Sequence, residues 1–223
     1  MSPVSDRGLK VAFLGQDGAG KTTVTGDVLA WLGGKAEYVY LGSGENYSSW
    51  RKTLQEKLPK WGIFKVFRAW LQLSKYKMLS RDVLDKVRLG EKISEKGGVV
   101  IYDRYPQTQF PGICDGPKVR LMLEKLPKWS RWLFRGYARK EEKNLSLASG
   151  YCPDIVFKLL LSPEESVRRK PENKLESMKR KRSVIESLKF EGSEVITVDA
   201  EMPYEEEIQL IKSKITDRLS VWV

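Results

Sequence analysis

Two kinds of hydrophobic run alternate along this chain. The first is short and apolar. Residues 9–15 read as a buried strand that ends on glycine, and Val99–Asp103 is apolar up to its acidic last residue. Residues 37–41 (Glu-Tyr-Val-Tyr-Leu), 154–161 (Asp-Ile-Val-Phe-Lys-Leu-Leu-Leu) and 195–198 complete a set of five strands. The second kind is longer and helical in period. Lys21–Leu32 predicts a helix that stops at Gly33-Gly34, and residues 81–95 predict another that stops at Gly97-Gly98. Residues 49–78 and 117–143 predict helices broken near Pro59 and Pro127, and residues 204–219 predict the last helix. Residues 105–116, which hold Pro106 and Pro111, read as loop, and Ser162-Pro163-Glu164-Glu165 reads as a capped helix start. Apolar strands alternating with helices imply a parallel sheet covered on both faces, in a single domain.

Composition narrows the chemistry. Among 223 residues there is no histidine, which excludes imidazole bases, histidine-dependent nucleophiles and histidine metal ligands. Acid–base work falls to carboxylates, lysines, tyrosines or water, and any metal is expected to be a hard ion held by oxygen. Cys114 and Cys152 show neither a redox pair nor a metal-ligand spacing, and read as reduced, half-buried thiols of a cytoplasmic protein. The apolar run at residues 11–15 is too short for a signal-peptide core, and no window approaches a membrane span. With 40 Lys and Arg against 29 Asp and Glu, the net charge of +11 calls for an anionic partner. Much of that excess falls in two places: residues 51–92, with 12 basic against 4 acidic side chains, and the stretch 168–182.

One motif decides the nucleotide chemistry. Gly15-Gln16-Asp17-Gly18-Ala19-Gly20-Lys21-Thr22, followed by Thr23, satisfies the phosphate-loop pattern G-x-x-x-x-G-K-[ST] between a predicted strand and a predicted helix. Glycines let successive N–H groups turn toward phosphate oxygens, and the helix offers its positive end to the same anion. Lys21 adds a charge at the β/γ-phosphates, and the Thr22 hydroxyl suits Mg²⁺. The loop alone fits a GTPase, an ATPase or a kinase; the GTPase motif N-K-x-D is absent. Asp103 stands at the C-terminal end of a buried strand, where ligands gather in open α/β sheets, and Arg104 follows it.

These residues resemble thymidylate kinase and its relatives among the P-loop kinases. The resemblance rests on the Asp-Gly-x-Gly-Lys-Thr-Thr loop, the Asp103-Arg104-Tyr105 triplet and Arg81 ahead of it. It extends to Tyr151-Cys152-Pro153-Asp154 entering a strand, Ser162-Pro163-Glu164, and Val198-Asp199-Ala200. It implies a three-layer α/β/α P-loop NTPase-type fold with a five-stranded parallel sheet, spanning 1–223 as one kinase domain. Helical acceptor-side elaborations are expected at 46–79 and 107–150 and a basic lid at 163–190. It implies ATP bound by residues 15–23 and Mg²⁺ served by Thr22 and Asp103. Asp17, Arg81, Arg104 and Tyr105 fall on the acceptor side. Because the loop has no arginine, lid arginines such as Arg168 and Arg169 are expected to meet the transferring phosphoryl group.

The chain also departs from that family. Leu41-Gly42-Ser43-Gly44-Glu45 replaces an Arg-Glu-Pro-Gly-type segment, and Pro106-Gln107-Thr108-Gln109-Phe110 replaces Ser-x-x-Ala-Tyr-Gln. Both differences fall on the acceptor side. Three readings therefore stand: transfer of the ATP γ-phosphoryl group to a nucleoside monophosphate such as thymidylate, transfer to a sugar or lipid-linked glycan hydroxyl, and nucleotide binding without transfer. For a hydroxyl acceptor, Asp17 and Glu45 are the candidate bases. The basic helices with interleaved tryptophans fit ordinary amphipathic helices with apolar side chains on the core and charges in water; they also fit a covered acceptor, a lipid-linked acceptor or an anionic membrane surface, which would make the protein peripheral. They carry no RNA-recognition or helix-turn-helix signature, which disfavours nucleic acid. A homodimer is compatible with these partners.

Overall fold

A computed structural model describes residues 7–42 and 62–220. The predicted strands form one five-stranded parallel sheet: β1 (Lys10–Gly15), β2 (Ala36–Tyr40), β3 (Val99–Asp103), β4 (Ile155–Leu160) and β5 (Glu194–Asp199). Their order across the sheet is β2-β3-β1-β4-β5. Burial follows that order. β1, β3 and β4 are buried almost throughout, whereas the edge strands β2 and β5 each bury only one residue fully. Continuous apolar sequence is needed only where both faces are covered, which is why the central strands were the easiest to read. The helices are α1 (Lys21–Leu32), α2 (Gly62–Glu95), α3 (Val119–Glu124), α4 (Lys128–Ser149), α5 (Pro163–Arg169), α6 (Leu175–Ser187) and α7 (Tyr204–Ser220).

The chain divides into two compact units. The first comprises Met1–Gly42, Lys86–Tyr105 and Tyr151–Val223, and it holds the whole sheet. Its core joins β1, β3, β4 and α1 to α7 through Phe13, Val24, Val28, Phe157, Leu159, Ile211 and Ile215, with the Phe13 and Phe157 rings stacked 5.1 Å apart. Two lysines lie inside strands of this core, and each has a polar partner, as burial of charge demands. Lys10 Nζ donates to Glu91 Oε2 at 2.6 Å. Lys158 Nζ donates to the carbonyls of Glu186 and Leu188 at 2.8 and 2.7 Å, which ties the C-terminal end of α6 to β4. Burial pushes the Lys158 ammonium below its ordinary pKa.

The second unit comprises Ser43–Asp85 and Pro106–Gly150. Its core packs Leu73 of α2 against Val119 and Leu123 of α3 and Phe134 and Ala138 of α4. Polar side chains close the helix ends. The buried Glu141 carboxylate accepts N–H bonds from Lys118 and Val119 at the start of α3, where the helix dipole favours negative charge. Arg131 donates to the carbonyls of Glu124 and Leu126 at the other end. The loop at residues 107–116 is organised by buried Gln107, whose Nε2 donates to the carbonyls of Phe110 and Ile113 and whose Oε1 accepts from the Phe110 N–H.

Two expectations about elements are revised or left aside. Residues 62–95 form one helix, not two meeting near residue 80, because no proline or glycine interrupts the stretch where a break was expected. Gly90 does lie within this helix, and a Cβ there would come within 2.0 Å of the Tyr102 hydroxyl oxygen. The expected helix start at residue 49, the break near Pro59 and Glu45 lie outside the described residues. The break at Pro127 is present, between α3 and α4. Cys114 and Cys152 are half-buried thiols not joined to each other.

Candidate functional site

In the strand order, β1 leads to β2 and β3 leads to β4 in opposite directions across the sheet, which makes the C-terminal ends of these adjacent strands a switch point where a crevice is expected. The phosphate loop forms one wall. Gly18 and Gly20 adopt φ of 88° and 77°, the left-handed region that side chains resist, and this turns the loop into the first turn of α1. Gln16 is buried as the floor: its side-chain amide donates to the carbonyl of Leu161, and its own carbonyl accepts from the Ala19 N–H. Lys21 Nζ donates to the carbonyls of Gly15 and Gln16, each at 2.9 Å, so the ammonium is held across the mouth of the loop.

A cavity of about 370 Å³ lies here, lined by Asp17, Gly18, Gly20, Lys21, Thr22, Thr23, Tyr40, Asp103, Arg104, Arg169 and Lys170. Asp103, at the end of β3, is only 2% exposed. Its Oδ2 accepts from the Tyr38 hydroxyl at 3.0 Å, while its buried Oδ1 has no hydrogen-bond donor. Burial and the neighbouring Asp103 carboxylate raise the Tyr38 phenol above its ordinary pKa, so it stays a donor. An orphaned carboxylate oxygen on a residue that lines the same cavity as Thr22 fits a hard cation that keeps most of its shell from water and phosphate. Arg104 follows in the left-handed region, with φ of 73°. A non-glycine residue there is costly unless its surroundings fix it, and its N–H donates to the carbonyl of Phe13 on β1.

The predicted lid meets this loop. Ser162 caps α5 by accepting the Glu165 N–H at 3.2 Å. Ser166 Oγ donates to the carbonyl of Asp17 at 2.6 Å. Arg169 donates from Nη1 to the carbonyl of Gly18 and from Nη2 to that of Ala200, each at 3.1 Å, with Nε on Glu165 Oε1 at 2.7 Å. One guanidinium thereby joins the phosphate loop, the lid and the turn after β5. From α6, Lys181 reaches the Asp17 carboxylate, which also lies 3.7 Å from Arg104. Burial alone would raise the Asp17 carboxyl, but the Lys181 hydrogen bond and charge, with Lys21 and Arg104, outweigh it and hold the pKa below the ordinary value.

Several expected residues therefore come together: Asp17, Gly18, Gly20, Lys21, Thr22, Thr23, Asp103, Arg104 and Arg169 all line one cavity. Others do not join them. Arg168 points to solvent with its side chain 77% exposed and pairs with Glu165, whose carboxyl the two arginines pull down to about 2. Tyr105 is 1% exposed; its hydroxyl donates to the carbonyl of Tyr151 and its ring packs edge-on to Tyr102 and Phe190, so it supports the core beneath the site. Arg81 belongs to the second unit, where it lies 3.6 Å from Asp85 with its side chain 80% exposed. Sequence reasoning passed over Lys181, Tyr38, Tyr40 and Lys170. Tyr38 and Tyr40 had a signal, since they are two apart on an edge strand next to the strand bearing Asp103.

The parallel order β2-β3-β1-β4-β5, with a phosphate loop after β1 and a buried aspartate ending β3, defines a P-loop kinase fold. Solved structures agree. Deoxyadenosine kinase from M. mycoides with bound dATP matches 93% of this chain and 100% of its own at a TM-score of 0.51 and 16% identity. The same enzyme with the products dCMP and dCDP matches 94% of this chain at 0.57 and 16%. Among curated sequences, the uncharacterized ATP-binding protein YghS of Escherichia coli (strain K12) is 24% identical over 89% of each chain. YghR of the same organism, with the same description, is 24% identical over 92% of this chain and 86% of its own. No known family profile matches.

Proposed function

We propose that this protein is an ATP-dependent phosphotransferase that moves the ATP γ-phosphoryl group to a nucleoside monophosphate, with thymidylate as the first acceptor to try. The observation that carries the proposal is the cavity itself. Loop amides, Lys21, Arg104, Arg169 and Lys170 bring positive ends to one place, with Asp103 and Thr22 beside them. Phosphoryl transfer asks for positioning and charge neutralisation rather than covalent help from the protein, and this set supplies both without histidine. The relatives described as ATP-binding and the nucleoside kinases that share the fold support the same reading.

In this mechanism Lys21 and the loop N–H groups hold the β- and γ-phosphates. Asp103 and Thr22 would hold Mg²⁺, which when bound screens the charge between those phosphates. An acceptor oxygen attacks the γ-phosphorus as the bond to the β–γ bridging oxygen breaks, and the electron pair leaves on ADP. Arg169 stands where charge on the transferring group can be met, in place of the arginine that the loop lacks. As a lid, α5 and α6 would carry that charge in and out with nucleotide.

The ionised Asp17 carboxylate favours a second reading, in which the acceptor is a hydroxyl of a sugar or lipid-linked glycan. A carboxylate held charged beside Arg104 can accept a hydrogen bond from an alcohol and orient it for attack. Incubation with γ-labelled ATP, Mg²⁺ and a panel of nucleoside monophosphates, nucleosides and sugars separates the readings. Label on thymidylate or another monophosphate supports the first, and label only on sugars overturns it in favour of the second. Tight ATP binding with no transfer to any acceptor overturns both and leaves a binding module.

A further inference from the structure

The second unit has a surface that the kinase reading does not use. It carries 18 basic against 8 acidic residues, a net of +10 out of +11 for the whole chain. Its helix α4 is apolar on two sides. One side holds Phe134, Ala138, Leu145 and Ala148 and is buried. The other holds Trp129, Trp132 and Leu133 at spacing i, i+3, i+4, and these are 62%, 65% and 46% exposed. At about 100° per residue those three fall within about 100° of arc, nearly opposite the buried side. Lys128, Arg139, Lys140 and Lys143 fall within or beside the same arc, and all four are exposed.

Helix α2 lies beside α4 within the unit. Trp70 Nε1 donates to the Tyr137 hydroxyl at 3.1 Å, and Asn144 Nδ2 donates to Ser80 Oγ at 3.1 Å, so α2 and α4 run side by side in the same direction. Phe64 and Phe67, 37% and 41% exposed, therefore stand at the same end of the pair as Trp129 and Trp132. Single exposed hydrophobics need no explanation, but five large ones at one end of a strongly cationic helix pair do.

We infer that this end of the second unit docks on the surface of an anionic phospholipid bilayer, with Trp129, Trp132 and Leu133 entering the headgroup region and the lysines of α4 facing lipid phosphates. Tryptophan suits that boundary because its ring is apolar and its N–H is polar. Basic residues beside such a stripe add attraction to anionic lipid. No described helix is long and apolar enough to cross a membrane, so the contact is one of lying on the surface. A single-stranded nucleic acid would also meet cations and rings. It is better served by rings spaced along a groove for successive bases than by a stripe around one helix with leucine beside the tryptophans.

Flotation of the full chain, without ATP, tests the inference. The vesicles are phosphatidylcholine alone or phosphatidylcholine with phosphatidylglycerol. The protein is expected to float with the anionic vesicles only, with a blue shift of tryptophan emission. Trp129→Ser/Trp132→Ser is expected to weaken vesicle binding about tenfold. Lys128→Gln/Lys140→Gln/Lys143→Gln is expected to weaken it about 100-fold, at about fivefold per charge. Both variants should keep the circular dichroism and ATP affinity of the parent, which separates lost docking from lost folding. Absence of flotation with anionic vesicles overturns the proposal. So does flotation unchanged by both variants, or tryptophan-dependent binding of a single-stranded oligonucleotide in place of vesicles. Because no readout uses phosphoryl transfer, failure of the kinase reading would leave this result standing.

Discussion

The two units handle charge in opposite ways. The first holds 22 basic and 21 acidic residues, close to neutral, yet it contains every residue that lines the phosphate-loop cavity. Its cations are matched by acidic partners, and those at the site are held in place. Arg169 is held by Glu165 and two carbonyls, and Lys181 and Arg104 both face Asp17. The second unit is far more cationic at +10, and its basic side chains on α4 face solvent around exposed tryptophans. Net charge therefore says little about where an anion is bound for chemistry. A few cations focused by backbone N–H groups make a phosphate site, whereas a surplus spread over a helix face makes a diffuse attraction. The stretch 168–182 is basic as expected, with 8 basic against 2 acidic residues, but acidic residues elsewhere in the same unit balance it.

This comparison can be broken by substitutions in one unit at a time. The largest effect is expected from Lys21→Ala, which should lower kcat/KM for phosphoryl transfer by at least about 10²-fold, since it removes a charge aimed at the transferring group. Steady-state kinetics measure it, and unchanged turnover would remove the site from the loop. Arg169→Ala is expected next, at roughly 10–100-fold in kcat, because it frees the carbonyls of Gly18 and Ala200 together.

Lys181→Ala should show itself through pH. The folded Asp17 pKa is depressed, so the pair stabilises the protein above the unfolded carboxyl value of 3.8, and that stability is lost as pH falls through the lower folded value. Thermal melts of parent and variant should therefore differ at pH 7 and converge in acid below that window. The acid limb of the activity profile should also move to higher pH in the variant. The smallest effect belongs to Arg168→Ala. An exposed pair with Glu165 is screened by water and contributes little, so kcat should stay within about twofold. A loss as large as that of Arg169→Ala would show that the lid presents the other arginine.

Much of the first unit was legible because its signals are local. The phosphate loop encodes its own turn in its glycines, and the apolar run of β3 announces the aspartate at its end. Helix phase and distant partners were not legible. Arg168 and Arg169 are neighbours in sequence but stand about 100° apart on α5, so one reaches the cavity and the other meets water. Lys181 sits among Lys179, Arg180 and Arg182, and nothing local marks it as the partner of Asp17, 164 residues away. Tyr105 looked like an acceptor residue because it follows Arg104. The left-handed backbone at Arg104 lies between the buried end of β3 and this ring, which packs into the core. Likewise, the tryptophans of α4 read equally well as core or surface until the packing of Phe134 and Ala138 fixed which side is inside.

The central proposal is that ATP binds at the phosphate-loop cavity of the first unit. Titration calorimetry of ATP with Mg²⁺ tests it most directly, run on the parent, Lys21→Ala and Trp129→Ser/Trp132→Ser. The account predicts saturable binding to the parent, affinity lowered by at least about 10²-fold in Lys21→Ala, and parental affinity in the tryptophan variant. Equal binding by the parent and Lys21→Ala, or loss of ATP binding in a folded tryptophan variant, would contradict it.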